Sequence, residues 1–282
     1  MAEVFDARPC FLGEGPLWHP QIDTLFWFDI IGKRLFARGP EGARDWGFDE
    51  HHSAAGWLDA EHLLIASETG LWRFEIASGA RSLIVPLEAD NPTTRSNDGR
   101  ADPWGGFWIG TMGKRAEPGA GAIYRFWRGQ LRRVAEKISI SNAICFAPDR
   151  SLAYYADTAR QILWRQPLDA EGWPLGTPSM FRDFSSEDLW PDGAVTDATG
   201  ALWIAQWGAA RVARYLPDGR FDRAIAVPAP HVSCPAFAKG RLMVTTAQEG
   251  MSAADLAAAP LAGQLFDLGP VDHARPEPAV VL

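Results

Sequence analysis

A unit of roughly 40–50 residues recurs along the whole of this 282-residue chain, and a recurrence of that length leaves few folds open. Each unit reads as a short apolar strand, a turn of Asp, Gly or Pro, and a second strand rich in aromatics. A third strand follows, of the type (Gly/Ala)-x-(Leu/Ile/Val)-(Tyr/Trp/Ala)-Arg. The clearest copies are 99–110 and 193–204, with 143–154 a third, and looser copies begin at Gly15, Gly56 and Pro235. Starts at 15, 56, 99, 143, 193 and 235 lie 41, 43, 44, 50 and 42 residues apart. About four short strands per unit at this period mark the blade of a β-propeller. The expected fold is therefore all-β, a six-bladed propeller of four-stranded antiparallel blades around a central channel.

A ring of blades has to close, and segment 3–10, ahead of the first repeat, is placed to add a strand to the last blade and remove its exposed edge. No linker or change of composition divides the chain, so residues 1–282 read as one domain. Only two stretches look helical. Residues 252–259 are good helix formers behind a Ser252 cap and stop at Pro260, and 185–189 could make one turn.

With 47% hydrophobic residues, 13 Trp and 15 Phe, a large core is available and disorder is excluded. The net charge is −8 with Lys and Arg scattered, which argues against nucleic acid as a partner. Cys10, Cys145 and Cys234 are far apart and lack metal-ligand spacing, as isolated thiols of a reducing compartment would. The opening residues lack the apolar stretch of a secretory signal, and no apolar run approaches the ~18 residues that span a bilayer. The expectation is a cytoplasmic protein with no membrane partner, a monomer or weak homo-oligomer.

The residues immediately before the six repeat starts are Glu14, Ala55, Asp98, Asn142, Asp192 and Cys234. In a ring, equal phase means equal height and equal distance from the axis, so these side chains converge on one end of the channel. Three carboxylates and an amide would meet there, and they repel one another without a cation between them. Such oxygens suit a hard divalent ion, Ca²⁺, Mg²⁺ or Mn²⁺, and are compatible with Zn²⁺ or Fe²⁺. Few protein ligands leave coordination positions for water and substrate. Taken singly, Asp-Gly and Asn-Ala are ordinary turn chemistry. Their shared phase, and Glu14 with its weak turn preference, favour the cation. Arg95 and Asn97 stand just upstream of Asp98 and face the same mouth, where an Arg orients hydroxyl or carbonyl oxygens. His19 reads as structural, and Trp18 and Trp207 as either sugar-facing walls or blade core. No Gly-x-Ser-x-Gly turn and no Cys with an evident His partner is present, so no covalent nucleophile is implied.

The run Leu12-Gly-Glu-Gly-Pro-Leu-Trp18, followed by Leu25-Phe-Trp-Phe-Asp-Ile30, resembles the opening of the senescence-marker/regucalcin/gluconolactonase family. So do Arg95-Ser-Asn-Asp-Gly99 with Asp102-Pro103, Gly110-Thr-Met112, Ser141-Asn142, Tyr155-Ala-Asp157-Thr158 and Pro191-Asp192-Gly193. The resemblance follows the family's order over nearly the whole chain. It implies a hydrolase that opens a sugar lactone to the sugar acid with one divalent cation. Glu14, Asn142 and Asp192 would be its ligands, Arg95 and Asn97 would orient the substrate, and Asp98 would stand at or just outside the ligand set. Asp192 would serve as base toward water and then as acid toward the ring oxygen. One stretch departs from the pattern: where some relatives carry acidic residues after Gly-Thr-Met, this chain has Gly113-Lys114-Arg115-Ala116-Glu117. As substrate-binding residues, Lys114 and Arg115 would favour a lactone with an acidic tail, uronate-derived or sulfonated; in a solvated loop their charge is incidental. The competing readings are a metal-dependent arylesterase or organophosphate hydrolase, and a non-catalytic calcium-binding propeller.

Overall fold

A computed structural model describes residues 2–282. The chain begins with β1 (Glu3–Asp6) and continues as antiparallel meanders of four strands. The first consists of β2 (Gly13–His19), β3 (Thr24–Asp29), β4 (Arg34–Gly39) and β5 (Gly42–Gly47). The second is β6 (His52–Asp59), β7 (His62–Ser67), β8 (Gly70–Glu75) and β9 (Arg81–Pro86). The third is β10 (Thr94–Ala101), β11 (Phe107–Gly113), β12 (Gly121–Trp127) and β13 (Gln130–Ile138). The fourth is β14 (Ser141–Phe146), β15 (Leu152–Asp157), β16 (Ile162–Pro167) and β17 (Ser179–Asp183).

The remaining strands are β18 (Trp190–Thr196), β19 (Leu202–Trp207), β20 (Arg211–Tyr215), β21 (Phe221–Ala226), β22 (His231–Ala238), β23 (Arg241–Ala247) and β24 (Leu265–Pro270). With β1 they make one eight-stranded sheet. Its two halves join through a single pairing, Trp207 with His231, and β1 lies antiparallel to β24, Val4 opposite Phe266. The result is all-β and propeller-like, with one short helix, α1 (Ala253–Ala258), and two single turns among the described residues. Ser252 caps α1 by accepting from the Asp255 backbone N–H while the Asp255 side chain accepts from Ser252, as its sequence anticipates. No helix of the described residues is long and apolar enough to cross a membrane.

Sheets pack face to face. Leu17, Phe26 and Phe28 of the first meet Leu63, Ile65 and Phe74 of the second. Tyr154 and Leu163 of the fourth meet Ile204 and Tyr215 of the next. Leu25, Trp27 and Phe36 of the first also pack on Met243 and Leu265, at the other end of the chain. Burying each such side chain contributes ~1.5–3 kcal/mol, which is why the aromatics recur at the second strand of each unit. The strands β2, β6, β10, β14, β18 and β22 contact one another in a closed circuit. They are buried even where polar: Thr94, Arg95, Ser96, Asn97, Asp98 and Arg100 of β10 all lie inside. The outer strands β5 and β21 are largely exposed.

Two loops show how the Asp-containing turns are locked. Asp102 accepts from the backbone of Trp104 and Gly106 and takes the Arg125 guanidinium at 2.7 Å. Asp197 accepts from Thr199 and Ala201 and takes Arg214 at 2.9 Å. In each case the third strand of the same unit sends its Arg back to the turn before the second, which accounts for the Arg at the end of the repeat pattern.

Candidate active site at the channel mouth

Every strand of the inner circuit breaks register near its repeat start: between Glu14 and Leu17, His52 and Ala54, Ser96 and Gly99, Asn142 and Cys145, Pro191 and Ala194, Val232 and Pro235. Such bulges turn a side chain out of the ladder, here toward the axis. Gly15 follows Glu14 with φ 52°, and a Cβ on it would sit 2.3 Å from the Ser53 carbonyl oxygen, so only glycine fits. Gly193 follows Asp192 against Cys234, whose Sγ would stand 2.3 Å from an added Cβ.

The approach to the bulges is fixed by carboxylates at the ends of neighbouring strands. Asp29, last in β3, accepts from the backbone N–H groups of Phe11 and Leu12 at 2.8 and 3.0 Å, just ahead of Glu14. Asp157, last in β15, accepts from Ser139 and Ile140, both at 3.0 Å, just ahead of Asn142.

Of the residues expected at the site, Glu14, Asn142, Asp192, Arg95, Asn97, Lys114 and Arg115 all line one cavity of about 400 Å³. Asp98 does not line it. Its Oδ2 is turned beneath the floor to accept from Ile144 N at 2.6 Å, with Arg100 as its main charge partner, while Oδ1 is buried without a hydrogen bond. Lys114 stands on the rim, ion-paired with Glu68. Arg115 is exposed beside it, its backbone N–H on Glu117. His19 lies elsewhere, bonded to the Asp59 carbonyl and packed beside Trp57. Trp18 lines a different groove, under Lys239.

Four cavity residues escaped the sequence reading or were left open by it. Trp190, 39% exposed, and Trp207 pair across β18 and β19 as aromatic walls. Trp207 is backed by His231, stacked at 4.3 Å. Glu249 faces Arg95 and is the largest of the acidic influences that offset the desolvation of that guanidinium. Thr158 lies between the strands bearing Asn142 and Asp192. Trp190 and Thr158 have a signal in the sequence, since Trp190 precedes Pro191-Asp192 and Thr158 follows Tyr155-Ala-Asp157.

A continuous chain of hydrogen bonds runs along one side of the floor. Arg95 Nη1 donates to Asn97 Oδ1 at 2.7 Å, and Asn97 Nδ2 donates to the Ser141 carbonyl and to Asn142 Oδ1 at 2.8 and 3.1 Å. Asn142 Nδ2 donates to Thr158 Oγ1 at 2.8 Å, and Thr158 Oγ1 donates to the Pro191 carbonyl at 2.6 Å.

On the other side the buried carboxyls of Glu14 and Asp192 face the same cavity, Glu14 Oε2 accepting from the Gly15 N–H at 2.9 Å and the Glu14 charge acting on Asp192. Burial pushes the Glu14 pKa up, and the Asp98 charge adds to it against the Gly15 N–H and Arg95. Asp192 is raised by burial first, then by the charges of Glu14 and Asp98. A site that raises carboxyl pKa values in this way is unfavourable for two anions and favourable for two anions around a cation. Among the described residues no three His, Cys, Asp or Glu side chains gather closely enough to hold a metal ion by themselves. The available set is two carboxylates and the Asn142 amide oxygen. That donor chemistry, all oxygen and doubly anionic, fits a hard divalent ion with open positions.

Residues 12–248 match the family model described as the SMP-30/gluconolactonase/LRE-like region. The chain is 38% identical to an L-arabinolactonase of Azospirillum brasilense, over 90% of this chain and 87% of that one. It is 33% identical to a 6-deoxy-6-sulfogluconolactonase of Pseudomonas putida, over 92% and 91%. Among solved structures, a calcium-binding protein, regucalcin, of Agrobacterium tumefaciens superposes with a TM-score of 0.98 at 38% identity, covering 100% of this chain and 98% of that one.

Proposed function

The chain belongs to the SMP-30/gluconolactonase/LRE-like family, and on that premise we propose that it hydrolyses a sugar lactone to the sugar acid with a divalent cation held by Glu14, Asn142 and Asp192. The observation that carries the reading is the pair of buried carboxyls, Glu14 and Asp192, lining one cavity with Asn142 between walls of Trp190 and Trp207. We read the eight-stranded sheet as two blades joined at Trp207 and His231, which makes six blades in one domain, with β1 closing the last.

When bound, such a cation supplies Lewis-acid polarisation of the lactone carbonyl and lowers the pKa of a water. Asp192 takes the proton from the attacking water and returns it to the ring oxygen as the C–O bond breaks, so the product leaves as hydroxy acid. Arg95 lies within the charge field of the floor and favours the oxyanion of the tetrahedral species. Asn97 has both N–H bonds engaged, so it offers a substrate hydroxyl only its Oδ1 lone pair. Trp190 and Trp207 give the sugar flat apolar faces and exclude water.

The substrates named for the relatives, a pentonolactone and a sulfonated hexonolactone, define the panel: one of each, a neutral hexonolactone and a uronate-derived lactone, followed with a pH indicator. Turnover that stops with a chelator and returns with Mn²⁺ or Ca²⁺ supports the reading; no turnover on any member refutes it. Calcium binding without catalysis has one observation in its favour, the calcium-binding description of the regucalcin structure. It predicts cation binding with no lactone turned over.

A further inference from the structure

Thr158 begins the single 3-10 turn Thr158–Arg160 directly after β15 and is buried, with 7% of its surface exposed. Its hydroxyl carries one hydrogen, and at 2.6 Å that hydrogen goes to the Pro191 carbonyl. Toward Asn142 the oxygen can then only accept, and the Asn142 Nδ2 lies 2.8 Å away. The two ends of an amide are nearly isosteric, so their placement is decided by neighbours rather than by shape. A flipped Asn142 would set its Nδ2 against the Asn97 Nδ2, donor to donor. It would also set its Oδ1 against a hydroxyl oxygen with no hydrogen left to give.

We propose that Thr158 is a positioning residue that locks the Asn142 amide with its oxygen turned away from Thr158 and into the ligand set. The inference rests on the reading that Glu14, Asn142 and Asp192 bind a cation. The same hydroxyl ties β14 to β18, because Pro191 immediately precedes Asp192. These two strands belong to different sheets and share no ladder, so the link is between side chain and backbone. One hydroxyl therefore fixes which atom of Asn142 faces the cation and how far the Asp192 strand stands from it.

The lock makes a prediction that a plain packing role does not. Thr158→Val keeps the shape and removes the hydroxyl; Thr158→Ser keeps the hydroxyl. Mn²⁺ titrated into the folded protein by calorimetry should bind Thr158→Val ~10–100-fold more weakly, the range for losing an outer partner of a ligand. It should bind Thr158→Ser as tightly as the parent. A carboxylate has oxygen at both ends and needs no lock, so in the N142D background the same Thr158→Val change should cost little. The cycle should show a coupling of about tenfold or more.

Equal loss in both backgrounds would mean that Thr158 acts by general loosening, and would overturn the lock, as would wild-type affinity in Thr158→Val. If the valine does not pack, Thr158→Ala carries the same cycle. Failure of both to fold would assign the hydroxyl to the scaffold and overturn the proposal. A parent protein that binds no Mn²⁺ sinks the reading of the site, and the lock with it; a parent that binds while Thr158→Val binds equally sinks the lock alone.

Discussion

Glu14 on β2 and Asp192 on β18, both buried, line the same cavity at the channel mouth, and the charge of Glu14 bears on Asp192. Burial and the Glu14 charge push the Asp192 carboxyl up, and burial with the Asp98 charge pushes Glu14 up, so two anions are costly there without a cation. On the cation reading proposed above, such a pair favours a bound ion at the expense of the bare protein, a trade characteristic of functional sites.

Asp192→Asn should therefore separate stability from activity. In chelator, scanning calorimetry should find the variant more stable by ~1–2 kcal/mol, a few degrees in Tm for a chain of this size. Lactone hydrolysis should fall by ~10²–10⁴, the usual contribution of a general acid–base group. A variant that keeps most of its turnover would remove Asp192 from the chemistry.

Acid should unfold the protein partly through His52, which burial holds neutral, with its pKa lowered to about 3. The ring is fully specified as neutral: Nε2 accepts from Arg81 Nη1 at 3.0 Å, so the proton sits on Nδ1 and is donated to the Glu50 carbonyl at 3.2 Å. Because the folded value lies below the unfolded value near 6.5, the stabilisation is complete above pH 6.5 and is lost as pH falls toward 3. The slope approaches ~1.4 kcal/mol per pH unit for one proton. Urea midpoints measured between pH 7 and 4.5 should decline less steeply for His52→Gln. Parallel curves would show that another group governs the acid limb.

Arg125 is wholly buried, paired with Asp102 at 2.7 Å, and faced by Trp173 and Trp127 at 4.5 and 4.8 Å. Its two terminal nitrogens have no hydrogen-bond acceptor, so the charge depends on one carboxylate and the aromatic faces. Asp102→Asn leaves that charge unbalanced and should cost ~3–5 kcal/mol, seen as a lower denaturant midpoint. Asp102 lies outside the cavity, so kcat on a lactone should hold wherever the variant is folded. A midpoint within error of the parent would show that the aromatic faces alone satisfy the guanidinium.

The repeat was legible because each unit must bury its own aromatics against a neighbour, and Trp27, Trp108 and Trp203 sit where that rule puts them. The equal phase of Glu14, Asn142 and Asp192 was legible for the same reason: identical strands place identical positions at one height. Asp98 shares that phase, yet the Ile144 N–H takes its Oδ2 below the floor, a choice between partners that spacing cannot encode. Thr158 follows β15, the ladder partner of β14, and its motif was visible, but its hydrogen bonds to Asn142 and the Pro191 carbonyl are choices that spacing does not encode. Glu249 was invisible because it reaches Arg95 from a loop after β23. Trp18 and Trp207 read alike in sequence, but one faces a groove between sheets and the other the cavity.

The rim charges give the last test, because Lys114 and Arg115 are not equivalent. The Lys114 ammonium is already paired with Glu68, whose pKa is held down by burial-opposing contacts from Lys114 and the His51 backbone. Its charge is compensated before a substrate arrives. Arg115 is exposed on the same rim and gives Glu117 a backbone N–H, so on the acidic-tail reading its guanidinium is the cation left to meet the substrate. Exposed charge pairs contribute ~0.2–1 kcal/mol and are screened by salt. Arg115→Ala should therefore raise KM for a sulfonated or uronate-derived lactone by about two- to fivefold at low ionic strength. It should leave KM for a neutral pentonolactone unchanged and lose its effect as salt rises. Replacing the compensated pair together, Lys114→Met with Glu68→Gln, should shift the anionic KM less than Arg115→Ala does, since that pair is neutral before a substrate arrives. If both variants move neutral and anionic substrates alike, the loop shapes the mouth without reading charge, and the acidic-tail reading of Lys114 and Arg115 falls.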